Sequence, residues 1–175
     1  MRITVSGHIG SGKTTVSKIL SELTSYEVYS GGYFFRKLSD EAGISLEQMN
    51  LNAEKDDGID VSLNNMIRDF LRSHDNVIVE SRLAGWISYS SGIPAFRVFL
   101  DATREERTRR VSKRENNQDM AQKVVVREES ENFRFREYFN FNMEDKSIYD
   151  VVIDTEKGTA DEIANKIFRM VFSNA

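Results

Sequence analysis

The sequence predicts an α/β three-layer sandwich, a parallel five-stranded sheet flanked by helices, and three observations carry that expectation. The short apolar-alternating run Arg2-Ile3-Thr4-Val5-Ser6 leads straight into a glycine-rich stretch, Gly7 to Thr15. Four further strand-like runs, Tyr26–Tyr29, Asn76–Glu80, Phe96–Leu100 and Val151–Asp154, are separated by helical stretches, the pattern of parallel strands joined by crossover helices. Asn76–Glu80 is almost continuously apolar, as a strand buried on both faces requires.

The elements follow in order. After the glycine stretch, a helix beginning near Lys13 carries an apolar stripe at Val16, Ile19, Leu20 and Leu23. The strand Tyr26–Tyr29 ends in Ser30-Gly31-Gly32, and Tyr33 to Ala42 is helical, with Phe34, Phe35 and Leu38 on one side and Gly43 as its stop. Ser45-Leu46-Glu47-Gln48 is a capping box that opens a short helix with Leu46, Met49 and Leu51. Asp57-Gly58 breaks the chain, and Ile59 to Arg72 resumes a helix on Leu63, Met66, Ile67, Phe70 and Leu71. His74-Asp75-Asn76 is a turn, with His74 a loop residue. Thr103-Arg104-Glu105-Glu106 caps a strongly charged helix to about Arg114; Asn116 to Asp119 interrupts it, and a second helix runs from about Met120 to Phe139. Thr159-Ala160-Asp161-Glu162 caps the closing helix, which buries Ile163, Ile167, Phe168 and Val171.

Composition narrows the classes. At 175 residues the chain forms one domain large enough for a real core. A net charge of −4 speaks against a nucleic-acid partner, which calls for a basic excess. The absence of cysteine excludes disulfides, thiolate metal sites and a cysteine nucleophile, and the two histidines, His8 and His74, are too few for a histidine metal cluster. No charged-then-apolar leader or membrane-length apolar run is present. The expectation is a soluble, cytoplasmic monomer with no membrane partner.

Gly7, Gly12, Lys13 and Thr14 fit G-x-x-x-x-G-K-[ST], a phosphate-binding loop. Glycines at 7, 10 and 12 permit turns that a Cβ would obstruct, so successive N–H groups from Gly7, His8, Ile9, Gly10, Ser11, Gly12, Lys13, Thr14 and Thr15 can surround a polyphosphate. The helix N-terminus adds positive potential. Lys13 would reach the β- and γ-phosphates, and the Thr14 hydroxyl would ligate Mg²⁺.

In a parallel sheet, ligands sit at the carboxyl ends of the strands, which selects Ser30–Gly32, Glu80–Arg82, Asp101–Thr103 and Thr155 onward. Glu80 there can orient the waters around Mg²⁺. Arg82 suits an acceptor phosphate because its fork binds two oxygens, and Arg36 can converge on it from the opposite wall. Arg107, Arg110 and Arg114 share one helical face, and Arg127 and Arg134 follow at a second i, i+7 spacing. Such arginines stabilise the charge of a transferring phosphoryl group. The interleaved Glu105, Glu106, Glu115, Glu128, Glu129 and Glu131 equally suit surface salt bridges with them. The polar stretch between Arg114 and Arg127 suits a hinged lid that excludes water. Trp86, with Tyr89 and Phe96, fits a pocket wall or a base-stacking surface; Phe133, Phe135, Tyr138, Phe139 and Phe141 are expected to pack as a helix face.

MRITVSGHIGSGKTTVSKIL, SGGYFFRKL, the Asp57 to Asp60 stretch closing on Ile-Asp, VIVESRLAGW, RVSKRE, and RE-x-S-E-x-x-R followed by D-x-S-I-Y-D-x-V-I resemble the archaeal-type cytidylate kinases through nearly the whole chain. The resemblance implies a P-loop kinase that transfers the ATP γ-phosphoryl to CMP or dCMP with Mg²⁺. It implies a core of about 1–29, 74–113 and 140–175, a monophosphate-binding insert of about 30–73 and a helical lid of about 114–127. By the same resemblance, Ser30, Gly31, Arg36, Asp60, Arg82 and Gly85 bind the monophosphate. Arg110 and Arg114 belong to the lid, Arg127 and Arg134 bridge both nucleotides, and Thr155 to Thr159 lies where adenine rests.

Ser81 stands where the family has glycine. His8-Ile9 replaces a Pro-containing pair, a change expected to touch only side chains that point away from the phosphates. Asp60 to Ile67 lacks the charged and amide pattern that contacts cytosine; Asn64 and Asn65 are the available substitutes. The alternatives are a kinase of the same fold acting on UMP, AMP or a shikimate-like acceptor, and a nucleic-acid-associated ATPase.

Overall fold

β1 (Arg2–Ser6) is the middle strand, and the alternation of its side chains explains why. Ile3 and Val5 are fully buried towards one helical layer, whereas Thr4 and Ser6 are buried towards the other, so neither face meets water. β2 (Glu27–Ser30), β3 (Val77–Glu80), β4 (Phe96–Asp101) and β5 (Val151–Asp154) complete an all-parallel sheet in the order β2-β3-β1-β4-β5. The computed structural model describes residues 1–53, 55–116 and 119–172.

One apolar layer joins Val16 and Leu20 of α1 (Lys13–Thr24) and Ile163, Ala164, Ile167 and Val171 of α8 (Ala160–Phe172) to Ile3, Val5, Ile78, Val98 and Leu100 of the sheet. The opposite layer gathers Phe34 of α2 (Gly31–Ala42), Ile67 and Leu71 of α4 (Asp57–Ser73), Ile87 of α5 (Ala84–Ser90) and Phe135 of α7 (Met120–Phe139) around Val77, Val79 and Phe99. α3 (Leu46–Ala53) lies beside α4, and α6 (Arg104–Glu115) precedes α7.

Register aligns the functional edge. Val5 and Ser30 both pair with Glu80, Ser6 with Phe99, and Asp101 with Asp154. The carboxyl ends of all five strands therefore open on one side, where their following loops must meet.

Local chemistry accounts for the differences from the sequence expectation. α2 begins at Gly31 rather than Tyr33, because the Ser30 hydroxyl caps it by accepting from Tyr33 N–H at 3.0 Å. α4 begins at Asp57, capped by Asp56 through Gly58 N–H at 2.8 Å, so Asp57-Gly58 is its first turn and not a break. α5 was not anticipated: seven residues are too few to display a helical period. The capping boxes at Ser45, Thr103 and Thr159 form, the last reciprocally, with Thr159 N–H donating to Glu162 and Glu162 N–H to Thr159. Of the interruption at Asn116–Asp119, Asn117 and Gln118 lie outside the described residues. The expected aromatic face of α7 divides, with Phe135 buried and Phe133 and Tyr138 exposed.

Candidate active site

The glycine-rich loop follows β1 into α1 with Gly7, Gly10 and Gly12 all at positive φ. A Cβ on Gly7 would sit 2.4 Å from the Leu100 carbonyl oxygen, and one on Gly10 would sit 2.5 Å from that of Arg107. The loop is thus pressed against β4 and α6, and only glycine fits there. Lys13 Nζ donates to the carbonyls of Gly7 at 2.9 Å and His8 at 2.8 Å. Burial foremost, then the Arg82 and Arg107 charges, lowers its pKa to about 8, against the pull of Glu80 and Glu128. Thr14 Oγ1 lies 3.3 and 3.4 Å from the two Glu80 carboxylate oxygens. A hydroxyl and a carboxylate converging beside a phosphate loop are the hard oxygen donors that Mg²⁺ takes, leaving phosphate oxygens and water to complete its shell.

His8 turns inward rather than away. Its ring meets Phe99 edge-on at 5.9 Å, and Nε2 lies 3.3 Å from Glu144 Oε1. Burial foremost, then the Arg107 charge, lowers the imidazole pKa against the pull of Glu128 and Glu144. Ile9 is held by its carbonyl, which accepts from Arg107 Nη1 at 3.0 Å. Ser11 is buried, and Thr15 is exposed on α1.

Arg82, in the β3–α5 loop, pairs with Glu131 of α7. Burial foremost, with Arg127 and Arg134 adding, brings its pKa down to about 9. Glu131 also accepts from Arg127 Nε at 2.9 Å, and Arg134 Nε donates to Asp60 Oδ2 at 2.6 Å. Arg82, Glu131 and Arg127 form one chain of ion pairs, and the Asp60–Arg134 pair acts on Arg82 through space. Arg36 is exposed on α2, its Nη1 beside Gly32, and among the described residues it makes no ion pair. Gly31 lies against Ser81, where an added Cβ would come 3.2 Å from the Ser81 Cβ.

Four expected site residues are engaged by contacts within the protein. Gly85 packs: its N–H donates to Ser6 Oγ at 2.9 Å, and a Cβ would lie 2.4 Å from the Tyr149 ring, so a larger residue does not fit there. Arg114 is exposed and bonds only Glu115 among the described residues, away from the phosphate loop. Arg110 clamps the β5 end, donating to Thr155 Oγ1 at 2.8 Å and Thr155 O at 3.1 Å as well as to Glu106. The Ser30 hydroxyl is engaged as the α2 cap.

Sequence reasoning missed Glu128 and Glu131, which it grouped with surface carboxylates. Both are buried. Val124, Glu128, Glu131 and Phe135 recur at i, i+4, i+7 and i+11, so the two carboxylates lie on the apolar stripe of α7, a signal present in the sequence. Glu128 pairs with Arg107, which is also buried and donates to the carbonyls of Ala102 and Ile9. Arg107 thereby joins β4, the phosphate loop and α7.

The model of the cytidylate kinase-like family matches residues 2–157. The cytidylate kinase of Thermoplasma volcanium is 46% identical over 166 residues, spanning 94% of this chain and 87% of the relative. That of Natronomonas pharaonis is 41% identical over 165 residues, 93% of this chain and 85% of the relative. Among solved structures, an uncharacterized protein from Eubacterium ventriosum superposes with a TM-score of 0.73 at 19% identity, over 99% of this chain and 98% of that one. A shikimate kinase from Bacteroides thetaiotaomicron gives 0.68 at 13% identity over the same shares, a likeness of fold.

Proposed function

The chain belongs to the cytidylate kinase-like family, and from that premise we propose that it is an ATP-dependent kinase that phosphorylates CMP and dCMP, giving CDP or dCDP and ADP. The observation that carries the reading is the proximity of two phosphate sites of different kind. Thr14 of the loop lies 3.3 Å from Glu80 at the carboxyl end of β3, and Arg82 stands two residues further along the same chain turn, so a donor held by the loop and an acceptor held by Arg82 would share one crevice.

Transfer is direct and in line. The acceptor phosphate oxygen forms the new P–O bond as the bond between the β–γ bridging oxygen and the γ-phosphorus breaks, and ADP leaves with the electron pair. Loop N–H groups and Lys13 hold the donor, and Lys13 exchanges its two carbonyl partners for phosphate oxygens. Arg36 and Arg82 orient the acceptor, while Arg127 and Arg134 offset charge on the transferring group. Mg²⁺, held by Thr14 with Glu80 orienting its waters, supplies further neutralisation of the phosphates when bound. On this reading residues of about 30–73 receive the monophosphate, about 114–127 close as the lid, and Thr155 to Thr159 borders the adenine.

A coupled ADP-release assay with an acceptor panel tests it. Turnover with CMP and dCMP, and little with AMP or shikimate, is expected. ATP hydrolysis stimulated by RNA or DNA, with no monophosphate phosphorylated, overturns the proposal.

A further inference from the structure

On the kinase reading, the α4 wall of the acceptor crevice holds buried polar groups that have no hydrogen-bond partner among the described residues. The inward stripe of α4 runs Asp60, Asn64, Ile67, Leu71 at i, i+4, i+7 and i+11. Ile67 and Leu71 are sealed in the core at its lower end, and Asp60 meets Arg134 at its upper end. Asn64 lies between them, where the apolar floor gives way to the charged network. Its Nδ2 is buried without a hydrogen-bond partner. An amide donor in that condition is destabilising unless a ligand completes it. Asn65, by contrast, is exposed, and its Oδ1 accepts from Arg68 Nη1 at 2.8 Å. Ser81 Oγ is also buried and unpartnered, on the residue that adjoins Arg82 and abuts Gly31.

Resting on the kinase reading above, we propose that Asn64 reads the base edge of the acceptor, and that the protein consequently phosphorylates UMP as well as CMP. Cytosine presents a donor at N4 beside an acceptor at N3; uracil presents an acceptor at O4 beside a donor at N3. A carboxamide carries one donor group and one acceptor, so a half-turn of its plane matches either edge. No hydrogen bond at Nδ2 opposes that turn. The Ser81 hydroxyl also both donates and accepts. Asp60 and Arg134, whose hydrogen-bonding sign is fixed, are occupied by each other. The orphaned groups on this wall therefore impose no fixed donor–acceptor order. The transfer itself is unchanged: the UMP phosphate oxygen takes the γ-phosphoryl, and ADP leaves.

The test is steady-state kinetics of the full chain with CMP and UMP, beside Asn64→Leu. The expected result is a kcat/KM for UMP within about a hundredfold of that for CMP, since a site of fixed sign rejects the mismatched analogue by about ten-thousandfold. Asn64→Leu should raise KM for both pyrimidine acceptors by about tenfold or more, with KM for ATP unchanged and the melting temperature equal to or above that of the parent. A UMP value more than about a hundredfold below CMP overturns the inference and leaves the CMP kinase reading standing. Unchanged acceptor KM values in Asn64→Leu overturn the role of Asn64. If neither pyrimidine monophosphate is phosphorylated while ATP binds, the kinase reading falls and this inference with it.

Discussion

Removing the Glu128 carboxylate should unfold this protein far more readily than removal of a surface acid. Arg107 is 5% exposed and Glu128 3%, and the guanidinium also donates to Ala102 O at 3.1 Å and Ile9 O at 3.0 Å. Glu128→Ala therefore strands a buried cation against two carbonyl dipoles, a loss of about 3–5 kcal/mol, whereas an exposed pair would cost under about 1 kcal/mol. For a domain of this size that lowers the melting temperature by roughly 6–20 °C. Arg107→Met combined with Glu128→Leu removes both charges and should recover much of the loss. The double variant still lacks the tether to Ile9, so its KM for ATP should rise. Urea unfolding followed by circular dichroism, with the m-value held constant between variants, measures the cycle. Single losses below about 1 kcal/mol, adding without coupling in the double variant, would refute a buried ion pair at this junction.

Three further outcomes are expected. Lys13 titrates at about 8 when folded and near 10.5 when unfolded. Between those values the unfolded chain binds more protons, so the Lys13 contribution to stability increases as pH rises through that window. Over the same range kcat/KM for ATP should fall towards tenfold per pH unit, and a profile flat to pH 10 would contradict the assignment. Gly85→Ala should cost about 1–3 kcal/mol through its collision with Tyr149; a raised acceptor KM at unchanged stability would instead restore Gly85 as a binding residue. Arg82→Ala and Arg36→Ala should raise the acceptor KM by about tenfold or more and the ATP KM little, as initial-rate kinetics will show.

Legibility followed the range of the interactions. The phosphate loop, Glu80, the capping boxes and all five strands were visible because each depends on residues within a few positions of one another. The α7 arginines were visible as a charge pattern, but their partners were not. Arg134 reaches Asp60 across 74 residues, and Arg82 meets Glu131 on another element. Glu128 and Glu131 looked like solvated acids because their neighbours in sequence are charged; their spacing with Val124 and Phe135 placed them inward. The partners of Arg114 and Gly85 were equally out of reach of a motif: the first pairs with Glu115 at the surface, and the second packs beneath the Tyr149 ring, 64 positions away in the chain.

The sequence alone determined the order of the strands, the parallel sheet and the glycine-rich loop, since backbone freedom at glycine, alternation and capping are local properties of the chain. The tertiary structure decided which charges face which. The choice of acid for each arginine, and the isolation of Asn64 Nδ2 without a partner, depend on α4, α5, α6 and α7 meeting over one sheet edge. Electrostatics and desolvation act through space, and that meeting supplies the distances on which they depend.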